Sequence, residues 1–419
     1  MSKIARFGPV TKLAGAAAFS QLIPMLAAPL LTRWYSAAEI GQWALFAALA
    51  ANLATVACAR YEYAIVLPRS TAEAGLVLQL SLVVCAGMAA LLTAVVIAVL
   101  ILVEDLGPIQ GLGRQLMWLP LAFLLAGLTQ ALNLWNNRHK AFGVIAQARV
   151  VQQGVATVVQ LAANAGGMVA LIIGQLLGAI AAPLWLWWRG TAVPAQRMGR
   201  SSSLRRLARR YRQFPLINSP HAFINAMQET LVIALIAAVS GPAAAGYYAI
   251  MVRLVKAPAS LVGGALSEVL LGELAQGWRV GKDLRPLLLR QIRRLALWAL
   301  PPSVLLFAFA PLLFEHALGE PWRVAGEYAR WLTPYVWAHF VVAPMTVAPM
   351  VTGRQGMALV LSVVGNLIYV VAVAVSLSVT GDLRYALAAI SLSMPLFFAA
   401  YLWWLLRGSG PRPGAGAIA

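Results

Sequence analysis

Residues 243–270 read AAAGYYAIMVRLVKAPASLVGGALSEVL. The stretch is long enough to cross a bilayer, which takes about 20 apolar residues. It nevertheless carries Arg253 and Lys256, one helical turn apart on one face. At about 1.5 Å rise per residue, Arg253 falls roughly 15 Å below the outer edge of the span, near the midplane, with Lys256 one turn deeper. An ionised side chain there costs at least about 2.5–3.5 kcal/mol on insertion scales. Such charges face a bundle interior or a wet cavity, and they mark substrate paths. The helix therefore predicts neighbours, a cationic interior and an anionic passenger.

The rest of the chain supplies the neighbours. Its 419 residues are 61% hydrophobic and 11% charged, with a mean hydropathy of +0.79. That excludes a disordered chain and exceeds what a soluble domain needs. Twelve windows of spanning length fit: 11–31, 41–66, 75–103, 115–135, 143–165, 167–188, 214–240, 243–270, 289–312, 329–351, 357–379 and 384–406. The expected fold is all-α and polytopic, with about twelve transmembrane helices in two pseudo-symmetric six-helix lobes around a central cationic cavity.

The net charge of +19 is distributed by topology and is not a nucleic-acid footprint. With a cytoplasmic N-terminus and alternating spans, 24 of the 32 Lys and Arg fall on the cytoplasmic side. Five fall opposite: Arg33, Arg114, Arg323, Arg330 and Arg384. Arg60, Arg253 and Lys256 lie within spans. This is the positive-inside pattern, and it predicts both termini in the cytoplasm. Cys58 and Cys85 sit in apolar spans, too few for a disulfide framework. The first apolar stretch follows Lys3, Arg6 and Lys12 and is too long for a signal-peptide core, so it is read as a retained span.

The longest polar interruption, 189–213, divides the spans six and six. It predicts an N-terminal lobe over 1–188, a basic cytoplasmic linker over 189–213, a C-terminal lobe over 214–406 and a disordered cytoplasmic tail over 407–419. The linker ends in LRRLARRYRQF, with Leu204, Leu207, Tyr211 and Phe214 at helical spacing between arginines. That pattern predicts an amphipathic helix on the cytoplasmic leaflet, held by anionic membrane lipid. Prolines interrupt several spans, Pro24 and Pro29 in the first, Pro215 and Pro220 in the seventh and Pro258 in the eighth, and the first and seventh hold matched positions. Proline removes a helical donor and kinks the helix. Pro24, Pro29, Pro220 and Pro258 are therefore candidate hinges of a moving pathway.

Candidate binding residues follow from charge. Arg60 lies near the cytoplasmic end of the second span, and Arg149 about 9 Å into the fifth. Both either snorkel to the interface or form a cationic entrance. With Arg253 and Lys256 they would suit phosphate, since arginine offers a planar fork and lysine a point charge. Glu62 and Glu229 are the carboxylates available as coupling groups or charge partners. His139, His221, His316 and His339 are scattered and none is assigned a role. No Gly-rich nucleotide fingerprint, metalloprotease helix or nucleophile elbow is present. The chain is read as neither an enzyme nor a primary pump, with no metal or cofactor.

Several blocks together carry a resemblance. They are Leu30-Leu31-Thr32-Arg33-Trp34-Tyr35-Ser36, then Glu39-Ile40-Gly41, then Arg60-Tyr61-Glu62-Tyr63-Ala64-Ile65-Val66-Leu67-Pro68. Further on come Asn137-Arg138-His139-Lys140-Ala141-Phe142, Gly174-Gln175-Leu176-Leu177-Gly178, Tyr211-Arg212-Gln213-Phe214-Pro215 and Ala245-Gly246-Tyr247-Tyr248 with Arg253. Over residues 15–275 the chain resembles Wzx-type O-antigen and polysaccharide flippases of the multidrug/oligosaccharidyl-lipid/polysaccharide (MOP) exporter superfamily. The resemblance implies a MATE-like twelve-helix fold that moves undecaprenyl-diphosphate-linked oligosaccharide across the bacterial inner membrane by alternating access. It implies that Arg60, Arg253 and Arg149 meet the passenger's anionic groups. A polysaccharide polymerase and a chain-length regulator are the expected protein partners, and a monomer is the expected state. The rival readings are an ion-coupled multidrug or small-molecule exporter of the same layout, and a membrane glycan polymerase or ligase.

Overall fold

A computed structural model describes residues 8–102, 107–193 and 201–410. Lys3, Arg6, Arg197, Arg200, Arg412 and the expected tail beyond Gly410 lie outside the described residues. Among the described residues there is no strand. Fourteen α-helices follow in order: α1 (Gly8–Trp34), α2 (Ala37–Ala54), α3 (Thr71–Leu102), α4 (Leu119–Arg138), α5 (Phe142–Ala162), α6 (Gly167–Arg189), α7 (Ser201–Arg210), α8 (Ser219–Val239), α9 (Gly241–Arg279), α10 (Arg285–Leu318), α11 (Arg323–Val342), α12 (Ala348–Thr352), α13 (Gln355–Thr380) and α14 (Leu383–Arg407).

Among the described residues eight helical stretches are long and apolar enough to cross a membrane, and α9 makes nine when counted as a bent pair. The twelve windows drawn from the sequence are therefore not all matched. One reason is that α2 stops at Ala54 after 18 residues, where the sequence predicted a span to residue 66. Another is that α5 interrupts its apolar face with Gln147, Arg149, Gln152, Gln153 and Gln160. The spanning helices expose Leu91, Ile101, Leu184, Val304, Leu367 and Leu392. In lipid such side chains need no further cover.

The chain forms two compact units, Met1–Ala238 and Val239–Ala419. The division falls one helix after the basic linker, so α8 belongs to the first unit. Local bonds explain this. Thr230 Oγ1 donates to Ala48 O at 3.0 Å, and Asn52 Nδ2 donates to Phe223 O at 3.4 Å. Both tie α8 to α2.

In the first unit, α5 and α6 approach closely through the Gly174/Gly178 pair. A Cβ on Gly174 would meet Ala156 O at 2.9 Å, and one on Gly178 would meet Ala156 Cβ at 2.9 Å. Trp43 Nε1 donates to Gln175 Oε1 at 2.7 Å between those glycines. This block of the sequence thus serves packing. Glu39 is also structural: with Ser36 it forms a capping box at the start of α2.

Helix α7 departs from expectation. Its apolar face does not lie in lipid. Leu207 is buried, and Leu204, Ala208, Tyr211 and Phe214 pack against the core of the first unit beside Tyr61 and Trp135. Tyr61 Oη donates to Ala208 O at 3.2 Å, and Arg210 pairs with Glu73 at 2.6 Å. Arg205, Arg206 and Arg209 remain exposed. An amphipathic helix finds a protein groove as readily as an interface when one is adjacent.

The second unit has its own core, in which Leu270, Leu274, Leu288, Leu295, Met345, Tyr401 and Leu405 pack together. Beyond Arg407 the chain stays attached through Gly410. Ser409 is buried, its carbonyl accepts from Leu284 N at 3.1 Å, and its hydroxyl donates to Leu405 O at 2.7 Å.

Candidate functional site

The first unit's candidates lie where α2 breaks. The sequence Thr55-Val56-Ala57-Cys58-Ala59-Arg60 contains no glycine or proline, yet the α-helix gives way there to a run of turns. Ala59 and Arg60 take the left-handed conformation, with φ of 48° and 63°. For residues with a Cβ that costs roughly 1–2 kcal/mol each. Neighbours hold the turn. Gln130 Nε2 donates to the end carbonyl of α2 at Ala54 (3.0 Å), and Cys58 Sγ contacts Gly127 O at 3.5 Å. A 3₁₀ helix, Tyr61–Val66, follows. Arg138 closes it, donating from Nη1 to Ile65 O (3.2 Å) and from Nη2 to Arg69 O (3.4 Å). Two blocks quoted separately from the sequence are thus one structural feature.

This turn buries Glu62, which is 1% exposed. Neither of its carboxylate oxygens has a hydrogen-bond partner among the described residues. A buried polar group without a partner costs about 1–3 kcal/mol, and more if charged. Packing alone gives no reason to keep it. Strain and an orphaned carboxylate at one turn are a pointer to function. Arg60 is half-buried. Its Nη1 donates to Tyr63 Oη at 2.8 Å, and its guanidinium lies 5.0 Å from the Tyr63 ring centroid.

Arg149 is exposed on α5 and Glu229 is exposed on α8. A carboxylate midway along an apolar span is tolerated where water reaches it. Of the hinge candidates, Pro24 is buried and Pro29 half-buried in α1, and Pro220 is exposed at the start of α8.

In the second unit, Arg253 and Lys256 are both half-buried on α9. Lys256 opens into a cavity of about 270 Å³ lined by Gly263, Gly264, Ser267, Tyr335, His339 and Phe340. Its Nζ stands 5.6 Å from the Tyr335 ring centroid, within cation–π range. Tyr335 stacks on Phe398 at 6.1 Å and meets Tyr369 edge-on at 5.4 Å. Tyr369 and Tyr248 share a hydrogen bond of 2.9 Å. The result is a cation over an aromatic floor with hydroxyls at its edge.

His339 and Tyr335 belong to this cavity and were not singled out from the sequence. They arrive from α11, some 80 residues after Lys256, and nothing in local pattern joins them. The straight portions of α9, Gly241–Ala257 and Val262–Arg279, meet at 41°. The side chain of Pro258, the candidate hinge of this helix, lies outside the described residues. Among the described residues no group of His, Cys, Asp and Glu is arranged to hold a metal.

Comparison with known proteins gives this geometry a context. No curated protein sequence matches the chain significantly. Among solved structures it is similar to an inward-facing MATE-family multidrug resistance transporter of the MOP superfamily, with TM-score 0.71, 15% identity, and 93% of this chain and 94% of that one covered. It is similar to the lipid II flippase MurJ in an inward closed conformation, with TM-score 0.70, 12% identity and 93% and 87% covered. It also resembles a MOP-superfamily transporter from Pyrococcus furiosus, described as having a binding pocket of reverse polarity, with TM-score 0.56, 16% identity and 96% and 95% covered. These likenesses show the fold, which is that of MOP-superfamily transporters. Residues 30–327 match the family model described as "Polysaccharide biosynthesis protein", and the chain belongs to that family of multi-pass membrane proteins.

Proposed function

We propose that this protein is a flippase for lipid-linked oligosaccharide. It moves undecaprenyl-diphosphate-linked repeat units, of O-antigen, exopolysaccharide or capsule, from the cytoplasmic to the periplasmic leaflet of the bacterial inner membrane. The observation that carries this reading is the Arg253–Lys256 pair within one apolar span, with Lys256 over an aromatic-lined cavity, in a member of the polysaccharide biosynthesis family. Cations in low dielectric suit a diphosphate. Aromatic faces and hydroxyls suit the apolar faces and hydroxyls of sugar rings.

Arg60 and Arg149 extend the cationic surface in the first unit. Glu62 and Glu229 serve as coupling groups or charge partners. Alternating access occurs by motion of two lobes, with Pro24, Pro29, Pro220 and Pro258 as hinges. The 24:5 split of Lys and Arg supports cytoplasmic termini. A polymerase and a chain-length regulator are the protein partners, and the transporter works as a monomer.

The test is the leaflet position of the lipid-linked oligosaccharide in cells depleted of the protein, read with an impermeant periplasmic glycan-modifying enzyme. Accumulation protected from that enzyme, reversed by wild type, is the expected result. Normal exposure of the glycan lipid, in cells with no second flippase, would reject the proposal. The likeness to a multidrug transporter favours one rival, a small-molecule exporter. Depletion would then change drug tolerance and leave the glycan lipid in its normal leaflet.

A further inference from the structure

A second charged cavity lies at the opposite end of the second unit's helices from the arginine-rich segments. It measures about 430 Å³ and sits between α10, α11 and α14. Arg323, Arg330 and Arg384 converge on it, with Glu327 as the lining carboxylate. The rest of its wall is apolar, formed by Ala308, Pro311, Leu312 and Trp331.

Arg330 is fixed by backbone chemistry. Pro311 has no N–H, so the Phe307 carbonyl four residues earlier lacks its helical donor. Arg330 Nε supplies one at 2.9 Å, and its Nη2 donates to Ala308 O at 3.1 Å. The remaining N–H donors of the guanidinium stay available. Arg323 and Arg384 stand at the rim, steadied by Glu315 at 2.9 Å and Asp382 at 3.2 Å. Glu327 lies 3.9 Å from Arg384.

Three features argue that this is more than an ion-pair network. Exposed pairs contribute little to stability. Outer-side arginine works against the positive-inside rule, yet three of the five outer arginines gather here from two helices. The depth also fits an interface. Arg330 lies seven residues into α11 from Arg323, about 10 Å at 1.5 Å rise per residue, with half-exposed Trp331 beside it. Tryptophan at that level belongs to the aromatic belt.

We propose that this cavity binds the phosphate group of an anionic lipid in the outer leaflet, with the arginines on the phosphate and the chain along Leu312 and Trp331. The placement in the outer leaflet rests on the charge-derived topology. The binding itself is independent of transport. The phosphate could be carried by a bulk glycerophospholipid or by a polyprenyl chain.

Native mass spectrometry of the purified full chain separates these cases, with phosphatidylglycerol, undecaprenyl phosphate and phosphatidylcholine offered as separate probes. Wild type is expected to retain at least one of the two anionic lipids over phosphatidylcholine. Arg323→Gln and Arg384→Gln, both exposed at the rim, should each weaken that retention by about tenfold, the effect of one charge-assisted contact. Glu327→Gln should strengthen it. Retention of undecaprenyl phosphate alone assigns the polyprenyl source, and retention of phosphatidylglycerol alone assigns bulk lipid. Equal retention of phosphatidylcholine overturns the proposal. So does unchanged retention in the arginine variants at unchanged thermal stability, which would leave an ion-pair network only. Arg330→Lys is the control for folding, since it keeps a donor for Phe307 O.

Discussion

Gly127 of α4 offers a quantitative test of the packing that holds the Arg60–Glu62 turn. An ideal Cβ on Gly127 would collide with Cys85 Sγ and lie 3.0 Å from Ala57 Cβ and 3.3 Å from Cys58 Sγ. Non-bonded heavy atoms attract at about 3.5–4.0 Å, so all three contacts are too short. Ala57, Cys58 and Cys85 are each 0% exposed, and none is the far end of a flexible chain. Gly127→Ala must therefore push α4 away from α3 and the turn. Overpacking of this kind costs about 1–3 kcal/mol, equivalent to about 5- to 150-fold in the folded ratio. Cys85→Ala removes the worst contact and leaves a small void, costing about 1 kcal/mol alone. In the double variant the new methyl occupies the space of the lost sulfur. The two changes should then be non-additive by about 1 kcal/mol or more. Unfolding by SDS titration in mixed micelles, on all four proteins of the cycle, measures this. Strict additivity would refute the close approach and the packing account built on it.

Three further outcomes are expected. Glu62→Gln keeps the shape and breaks no hydrogen bond, so stability should change by under about 1 kcal/mol while complementation of polymer export fails. Wild-type export would remove Glu62 from coupling, and a large stability loss would reveal a partner. Arg138→Ala loses two donors to Ile65 and Arg69 carbonyls and should cost about 1–2 kcal/mol, with faster amide exchange confined to 61–69; uniform exchange would contradict that clamp. Leu207→Asp, in the buried face of α7, should cost at least about 2 kcal/mol, whereas Arg206→Ser on the exposed face should stay within about 0.5 kcal/mol. Equal tolerance of both would return α7 to the lipid surface.

The parts legible in the sequence were those set by continuous apolar length. Helices α3, α10, α13 and α14 cover their windows because each carries a long apolar run, and the bilayer's demand for satisfied backbone keeps such a run helical even across the prolines of α10 and α14. The early end of α2 was illegible. Its turn uses alanine and arginine where turn chemistry would use glycine, and bonds from Gln130 and Arg138 impose it from elsewhere in the chain. Amphipathic α7 was legible as a helix, but a 3.6-residue period does not say whether protein or lipid covers the apolar face. For the site, Arg253 and Lys256 were visible because charge in an apolar run is anomalous. His339 and Tyr335 were not, since an aromatic in a membrane helix is unremarkable until a cation stands over it. The convergence of Arg323, Arg330 and Arg384 is illegible in the sequence, because it depends on how α10, α11 and α14 pack.

The most direct test of the central claim is flipping by the purified protein in liposomes containing a labelled polyprenyl-diphosphate oligosaccharide. An impermeant glycan-modifying enzyme outside reports the accessible fraction over time. Wild type should render the protected pool accessible, and Arg253→Ala, folded to the same thermal stability, should leave it protected as in protein-free liposomes. Equal flipping by Arg253→Ala and wild type would contradict the cationic-cavity mechanism. No flipping by wild type under any imposed ion gradient or membrane potential would contradict the flippase itself.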